Sequence, residues 1–369
     1  MLAFDKKLGF GCMRLPEIVK DKEIDIAAMK EMVDFFMANG FNYFDTAICY
    51  HEGLSETSLK TCLTSRYSRE SYVLTNKLTN EYFERNEDIE PLFLSQLKAC
   101  GVDYFDIYLM HALDYRLYCK YKRVKAIEKA LEFKERGMIK HVGISFHDTP
   151  EVLETILTEY PQIEIVQIQL NYADYENIGI QSRRCLETCE KFNKPVIVME
   201  PVKGGRLVNL PVEAKKIIDE LDGGSPASYA IRFAASFDSV VMVLSGMSNI
   251  EQMKENVSFM KEFVPLNERE LTAVKKVADI VMNDGTIKCT ACRYCVSGCP
   301  KKILIPLLIG DYNLKKTFNE WNSEMYYATH TEFNGKAKDC ISCGKCERIC
   351  PQHLKIREIM ADISKEFDK

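Results

Sequence analysis

Leu8-Gly9-Phe10-Gly11-Cys12-Met13 is a short apolar run, and its glycines pose a choice between two architectures. A doubly wound open sheet wants a glycine-rich dinucleotide fingerprint directly after its first strand. Gly9-Phe10-Gly11 is only a fragment of one, which ranks that architecture second. Similar β-rich runs recur at Asn42–Thr46, Tyr72–Lys77, Phe105–His111, His141–Ser145, Ile163–Leu170, Pro195–Glu200 and Val240–Gly246. Amphipathic stretches lie between them. Ile24–Ala38 places Ile24, Ala27, Ala28, Met32, Phe35 and Phe36 at helical spacing and stops at Asn39-Gly40, a helix-ending pair. Ile89–Cys100, Val124–Arg136, Pro150–Thr158 and Gln181–Phe192 behave alike. Eight strands each followed by a helix, within about 260 residues, predict an α/β fold, the (β/α)8 TIM barrel. Asn267–Met282 reads as one more amphipathic helix and Asn283-Asp284-Gly285 as a turn.

Beyond that turn the chain changes character. Cys289-Thr290-Ala291-Cys292-Arg293-Tyr294-Cys295-Val296-Ser297-Gly298-Cys299-Pro300 recurs as Cys340-Ile341-Ser342-Cys343-Gly344-Lys345-Cys346-Glu347-Arg348-Ile349-Cys350-Pro351. Each copy reads CxxCxxCxxxCP, the run that places thiolates on [4Fe–4S] clusters, with the fourth Cys of one run ligating the other run's cluster. One cluster is therefore expected on Cys289, Cys292, Cys295 and Cys350, and a second on Cys340, Cys343, Cys346 and Cys299. Structural zinc takes its ligands in pairs and does not explain four Cys and a Pro, twice over. The expected domains are a barrel over 1–283 and a small α-helical ferredoxin-like iron–sulfur domain over 284–369. The insert Lys301–Asp339, which holds the single Trp, Trp321, is longer than such modules need and suggests a helical pair packing the module onto the barrel. Cys12, Cys49, Cys62, Cys100, Cys119, Cys185 and Cys189 lack metal-like spacing and read as buried small apolar residues.

A net charge of −5 over 369 residues gives no hint of a nucleic-acid surface. No apolar run approaches a membrane span, so no membrane partner is expected. Met1–Phe10 carries Asp5, Lys6 and Lys7 and no apolar signal core. Fifteen Cys in a chain without such a signal argue for a reducing, cytoplasmic setting.

Active sites of this barrel sit where the strands end. The polar residues there are Asp45, Tyr50 just beyond it, Lys77 and His111, from consecutive strands. A phenol is a poor acid near neutral pH. A nearby ammonium stabilises phenolate and lowers that pKa, and a carboxylate keeps the lysine charged and fixed. A neutral imidazole donates to a carbonyl oxygen. Together they make a proton donor for a carbonyl accepting a hydride. Singly, each has a bland reading: a capping Asp, a rim Tyr, a solvated Lys, a satisfied core His. Meeting at one barrel mouth, the four favour chemistry.

The same residues resemble the aldo-keto reductases. The matching text is Phe41-Asn42-Tyr43-Phe44-Asp45-Thr46-Ala47 with Tyr50 close behind, then Thr75-Asn76-Lys77, then Asp106-Ile107-Tyr108-Leu109-Met110-His111. The likeness covers roughly residues 8–282, and with its tail the chain looks like the branch that carries a C-terminal ferredoxin-like domain. The resemblance implies Tyr50 as proton donor, Lys77 and Asp45 tuning it, and His111 orienting the carbonyl. It implies NADP(H) or NAD(H) as cofactor. Gly143-Ile144-Ser145 is similar to the family's nicotinamide strand, with Ser145 on the carboxamide and Phe146 where the family has Asn. Gln167 matches its carboxamide-binding Gln. Glu200-Pro201-Val202-Lys203-Gly204-Gly205 resembles the loop over the pyrophosphate, with Gly204 and Gly205 approaching phosphate; a plain turn explains that pair almost as well. Gly246, Ser248, Gln252, Glu255 and Asn256 fall in the adenosine-phosphate segment. Gly246 and Gln252 stand where NADPH-selective members carry cations, leaving a residue such as Lys254 to compensate. The family's bottom-plugging hairpin is short or absent here, which leaves the tail or its insert as a candidate cover for that end. His51 reads as a solvated loop residue, and His141, His147, His330 and His353 have no assigned role. Substrate choice is expected to rest on the loops Leu113–Tyr121 and Tyr172–Gly179 and on the tail, and Tyr115, Tyr118 and Tyr121 suit an aromatic pocket wall or plain rim packing.

The leading expectation is an oxidoreductase for a small carbonyl substrate, with clusters that exchange electrons with a partner such as ferredoxin or serve structure. Hydride moves two electrons and a cluster moves one; a flavin normally bridges that gap, and the sequence carries no flavin motif. The competing class is a redox-sensing or docking protein that keeps a nucleotide-binding reductase fold with negligible turnover.

Overall fold

Short apolar runs bounded by turns give parallel strands whose two faces are both buried. The computed structural model describes residues 4–18, 23–221, 223–283, 286–289, 291–319 and 322–369. Its strands are β1 Leu8–Gly11, β2 Tyr43–Asp45, β3 Val73–Leu78, β4 Phe105–Leu113, β5 Ile139–Phe146, β6 Ile165–Gln169, β7 Val196–Met199 and β8 Val240–Ser245. They form a closed barrel in chain order, every neighbouring pair parallel. All eight expected strands are present. Asp284, Gly285, Thr290 and Trp321, named in the expected turn, first cysteine run and insert, lie outside the described residues, as do Met1–Ala3.

Tyr43, Ile107, Leu109, Ile165, Ile197, Met242 and Leu244 fill the barrel interior. Gly143 belongs to that packing: a Cβ there would lie 2.5 Å from the Ile165 carbonyl oxygen and 2.7 Å from a Leu109 methyl. At the barrel bottom Phe4 meets Tyr43 edge-on, ring centres 5.2 Å apart. The outer face of the strands packs on the surrounding helices through Phe36, Phe44, Phe93, Tyr108, Phe133 and Ile144.

The helices Tyr115–Arg123, Val212–Asp219, Pro226–Ala235 and Ile250–Met260 had no expected bounds, although a helix was expected after every strand. The first replaces the expected loop. Asp114 caps it by accepting from the Leu117 N–H at 2.6 Å, and its Tyr118 and Tyr121 are buried against neighbouring elements. Cys49 and Cys119 are exposed, unlike the other five cysteines expected to be buried. The helix Glu268–Asn283 packs on Val212–Asp219 and leads into the tail.

The tail holds the helices Ile305–Phe318 and Asn322–Thr331 between its cysteine runs and ends on Ile356–Phe367. Leu314 and Tyr326 join an apolar cluster with Tyr172, Tyr229, Phe233 and Val277, fusing insert and barrel. The insert sits over the strand C-termini, where Tyr326 reaches Gln169 and Thr329 reaches Asp114. Its described contacts with the strands are at this mouth, not at the barrel bottom where Phe4 packs.

Candidate active site

Inward alternation on three adjacent strands builds the site. Asp45 ends β2 opposite Thr75, and Lys77 lies on β3 opposite Leu109. The register slips between Met110 and Leu113, where Ala112 has φ 56°, and this bulge lies beside His111 on the inner face. Lys77 Nζ donates to Asp45 Oδ1 at 2.5 Å, to the Thr46 carbonyl at 2.9 Å and to the Tyr50 hydroxyl at 3.1 Å. Thr79 Oγ1 is 2.8 Å from His111 Nδ1, and the Tyr50 and His111 rings meet edge-on at 6.1 Å.

Tyr50 rides on an unusual loop. His51, Glu52 and Gly53 all have positive φ, at 49°, 56° and 90°. His51 pins it: Nε2 accepts from the Leu15 N–H at 3.1 Å and Nδ1 is 3.0 Å from Glu17. It is thus a latch between two loops and not a solvated residue.

Behind β3 a buried polar network fixes the Lys77 backbone. Asn76 Oδ1 accepts from the Lys77 N–H at 2.8 Å, and Gln96 donates to the Lys77 carbonyl at 3.0 Å. Glu56 accepts from Asn76 and from Gln96, and Tyr108 donates to Gln96. Sequence pattern does not reveal this network, because its members meet only through tertiary contact.

Burial dominates the electrostatics. It pushes the Tyr50 phenol up to about 12, against the opposing pull of Lys77. The expectation that Lys77 brings this phenol below its ordinary value is therefore corrected: the charge acts in that direction, and desolvation outweighs it. Burial alone would lower Lys77; the Asp45 carboxylate and the Tyr50 oxygen reverse that and raise it, so it stays an ammonium. Burial, then the Lys77 charge, then His147 hold His111 well below its usual range, so its imidazole is neutral.

A groove of about 350 Å³ opens beside β7, β8 and β1, and Gly204, Gly205, Gly246, Ser248, Gln252, Glu255 and Asn256 line it. Gly205, at φ 92°, adopts a conformation natural only to glycine. Asn256 donates to Ser245 at 2.9 Å, and Gln252 Oε1 accepts from the Ser248 N–H at 2.8 Å. Ser145 and Gln167 lie deeper, side by side on β5 and β6, with Gln167 3.4 Å from Asp45 Oδ2. The cation in the groove wall is Arg14, and Lys254 is not part of the lining. Arg14 packs along Gly246, where a Cβ would sit 3.4 Å from its side chain, and a guanidinium nitrogen reaches 3.6 Å from that point on Gly204. Sequence reasoning missed it; its only signal was a charge just past the first strand.

In the tail, Cys299, Cys340, Cys343 and Cys346 line one small pocket. Cys289, Cys292, Cys295 and Cys350 line another. Among the described residues no group of three or more His, Cys, Asp or Glu converges on a single ion position. A cubane holds each of four thiolates on a different iron, and four cysteines lining each pocket are the donor set it takes.

An eightfold α/β barrel with a buried lysine, carboxylate and phenol at its mouth, joined to a cysteine-rich helical module, defines an oxidoreductase of composite build. The chain belongs to the Aldo/keto reductase family, whose profile matches residues 7–279. A 4Fe-4S dicluster domain profile matches residues 277–354. An uncharacterized oxidoreductase of Schizosaccharomyces pombe is 25% identical over 264 residues, covering 68% of this chain and 80% of that protein. The NADH-specific methylglyoxal reductase of Escherichia coli is 23% identical over 284 residues, covering 65% and 84%. The holo form of an aldo-keto reductase from Bacillus halodurans superposes with a TM-score of 0.61 at 24% identity, covering 73% of this chain and 91% of that one. An aldo-keto reductase from Klebsiella pneumoniae in complex with NADPH gives 0.60 at 20% identity, covering 74% and 90%. Among the described residues no helix is long and apolar enough to cross a membrane.

Proposed function

We propose that the chain reduces a small carbonyl compound with NAD(P)H, using Tyr50 as proton donor. The single observation that carries this reading is Lys77 Nζ lying 3.1 Å from the Tyr50 hydroxyl while bonded to Asp45 at 2.5 Å. A bound nicotinamide supplies the hydride. The Tyr50 phenol, protonated at neutral pH, gives its proton to the oxygen on which charge develops, and Lys77 stabilises the phenolate left behind. Asp45 and the Thr46 carbonyl hold Lys77 in place. Thr79 donating to His111 Nδ1 keeps the imidazole proton on Nε2, which orients the carbonyl. Ser145 and Gln167 would hold the carboxamide. Gly204, Gly205, Gly246, Ser248, Gln252, Glu255, Asn256 and Arg14 hold the pyrophosphate and adenosine end. NADPH and NADH share that chemistry.

In the tail one [4Fe–4S] cubane is assigned to Cys289, Cys292, Cys295 and Cys350 and another to Cys299, Cys340, Cys343 and Cys346, with the barrel ending at 283 and the module running over 284–369. Such clusters supply one-electron chemistry, and a ferredoxin-like protein is a fitting exchange partner. The test is anaerobic purification with iron and sulfide counting, then a screen of aldehydes and ketones, methylglyoxal among them, with NADPH and NADH. Two cubanes per chain and carbonyl-dependent nucleotide oxidation are expected. Tight nucleotide binding without turnover on any carbonyl would replace this reading with a sensing or docking role.

A further inference from the structure

The arc of the barrel mouth is divided. The nucleotide groove takes β7, β8 and β1, and the proton-donating group takes β2 to β4. The insert takes what remains. Tyr326 Oη donates to Gln169 Oε1 at 3.2 Å, at the end of β6, and lies 3.4 Å from His147 Nδ1, just past β5. Thr329 donates to Asp114 at 3.0 Å, just past β4, and Phe333 meets Tyr115 edge-on at 5.6 Å. His147 stands near enough to His111 to help keep it neutral. The contact is close: a Cβ on Gly310 would lie 2.8 Å from the Gly179 backbone nitrogen, so these two segments touch backbone to backbone. Asp311, fully buried, bonds His330 at 2.9 Å and ties the two insert helices together.

The other end of the insert is a neck. The chain leaves at Cys299 and returns at Cys340, and those two thiols line one pocket with Cys343 and Cys346. Ile303 and Gly335 pair in a short parallel bridge beside it. A Cβ on Gly335 would fall 2.2 Å from the Lys301 carbonyl oxygen, so the neck is tightly drawn.

We propose that the helices Ile305–Phe318 and Asn322–Thr331 are the substrate-side wall of the barrel mouth, and that the iron–sulfur cluster on Cys299, Cys340, Cys343 and Cys346 is the clip that closes their neck. The proposal rests on the cluster and reductase readings above and adds a task for each. The cluster shortens the free loop between Cys299 and Cys340, and the wall meets the part of a carbonyl compound that does not react. Loss of the clip returns the loop's closure entropy to the unfolded side and lets the wall lift from the barrel.

The test uses the anaerobic full-length holoprotein and two variants. Cys299→Ser removes one ligand of the neck cluster. Gly310→Leu wedges the insert off Gly179 and leaves every cysteine in place. Hydrogen exchange is read by mass spectrometry on 322–331, with 73–78 in the barrel as internal reference. The wall and its clip together imply faster exchange over 322–331 in both variants, by roughly several hundredfold for Cys299→Ser, the order that closing a loop of this length contributes. Residues 73–78 should stay protected. With methylglyoxal and 4-nitrobenzaldehyde as probes, KM for the bulkier aldehyde should rise while nucleotide Kd holds. Unchanged exchange over 322–331 in Cys299→Ser that has lost its neck iron would overturn the clip. Unchanged KM for both aldehydes in Gly310→Leu, with exchange increased, would overturn the wall. Inertness of the wild type toward these two and every other carbonyl of the screen would overturn the reductase reading and the wall with it; the exchange result judges the clip apart from either.

Discussion

In the barrel the reactive groups are locked by burial and by hydrogen bonds to neighbouring backbone; in the tail the reactive thiols line pockets that protein packing does not fill. Lys77 is 1% exposed and makes three bonds, to a carboxylate, a carbonyl and a phenol. Its peptide is held on both sides by Asn76 and Gln96. The apolar cluster of the tail is small by contrast, centred on Ile305, Leu308, Ile309, Ile356, Met360 and Ile363, and it counts Cys295 and Cys346 among its members. One half thus carries its geometry in ordinary packing, whereas on the cluster reading the other is expected to draw much of its folding energy from what the thiols bind.

The harshest blow to the barrel half is Lys77→Met. It removes the charge beside Tyr50 and leaves Asp45 buried without its ionic partner, with Gln167 alone donating to it. Turnover should fall about a thousandfold, and stability by about 3–5 kcal/mol, read from kcat/KM and from denaturant unfolding. Iron removal is the matching blow to the tail. Chelation under reducing conditions should abolish the helical signal of the module and expose the cysteine thiols to alkylation. The barrel should still melt cooperatively at its own temperature in calorimetry. A tail that stays folded without iron would erase the contrast.

A pH profile probes the barrel side more finely. Tyr50 stands at about 12, so it is protonated across the neutral range. Carbonyl reduction should therefore be flat with respect to this group from neutral pH upward and fall only as pH nears 12. Alcohol oxidation needs the phenolate and should rise about tenfold per pH unit toward that value. The smallest effect belongs to Arg14→Ala. Loss of one charge-assisted contact should raise nucleotide Kd about tenfold, by fluorescence titration, and leave kcat at saturating nucleotide unchanged.

The strands were legible because each is a short apolar run closed by turn residues, and parallel strands buried on both faces leave that mark. Asp45, Lys77 and His111 were legible because they stand near strand ends, and the cysteines because their spacing is itself the chemistry. The rest depends on tertiary contact. His51 looks like any loop histidine until Leu15 and Glu17 come to meet it. Arg14 is a single charge in an unpatterned loop, and it joins the groove beside β7, β8 and β1 only when the barrel closes β1 onto β8. The insert was readable as helical, but its seat at the mouth rests on pairs such as Tyr326 with Gln169, far apart in sequence. The pKa of Tyr50 escaped because spacing reports that Lys77 is near and says nothing of how deeply both are buried.

Everything proposed for the barrel turns on Tyr50 delivering the proton from a site held by Lys77 and Asp45. The decisive quantity is kcat of Tyr50→Phe beside the wild type, at saturating NADPH and methylglyoxal, in anaerobic protein with matched iron content and nucleotide Kd. A loss of about a hundredfold to ten-thousandfold is expected, with nucleotide binding intact. Turnover equal to the wild type would contradict that role for Tyr50.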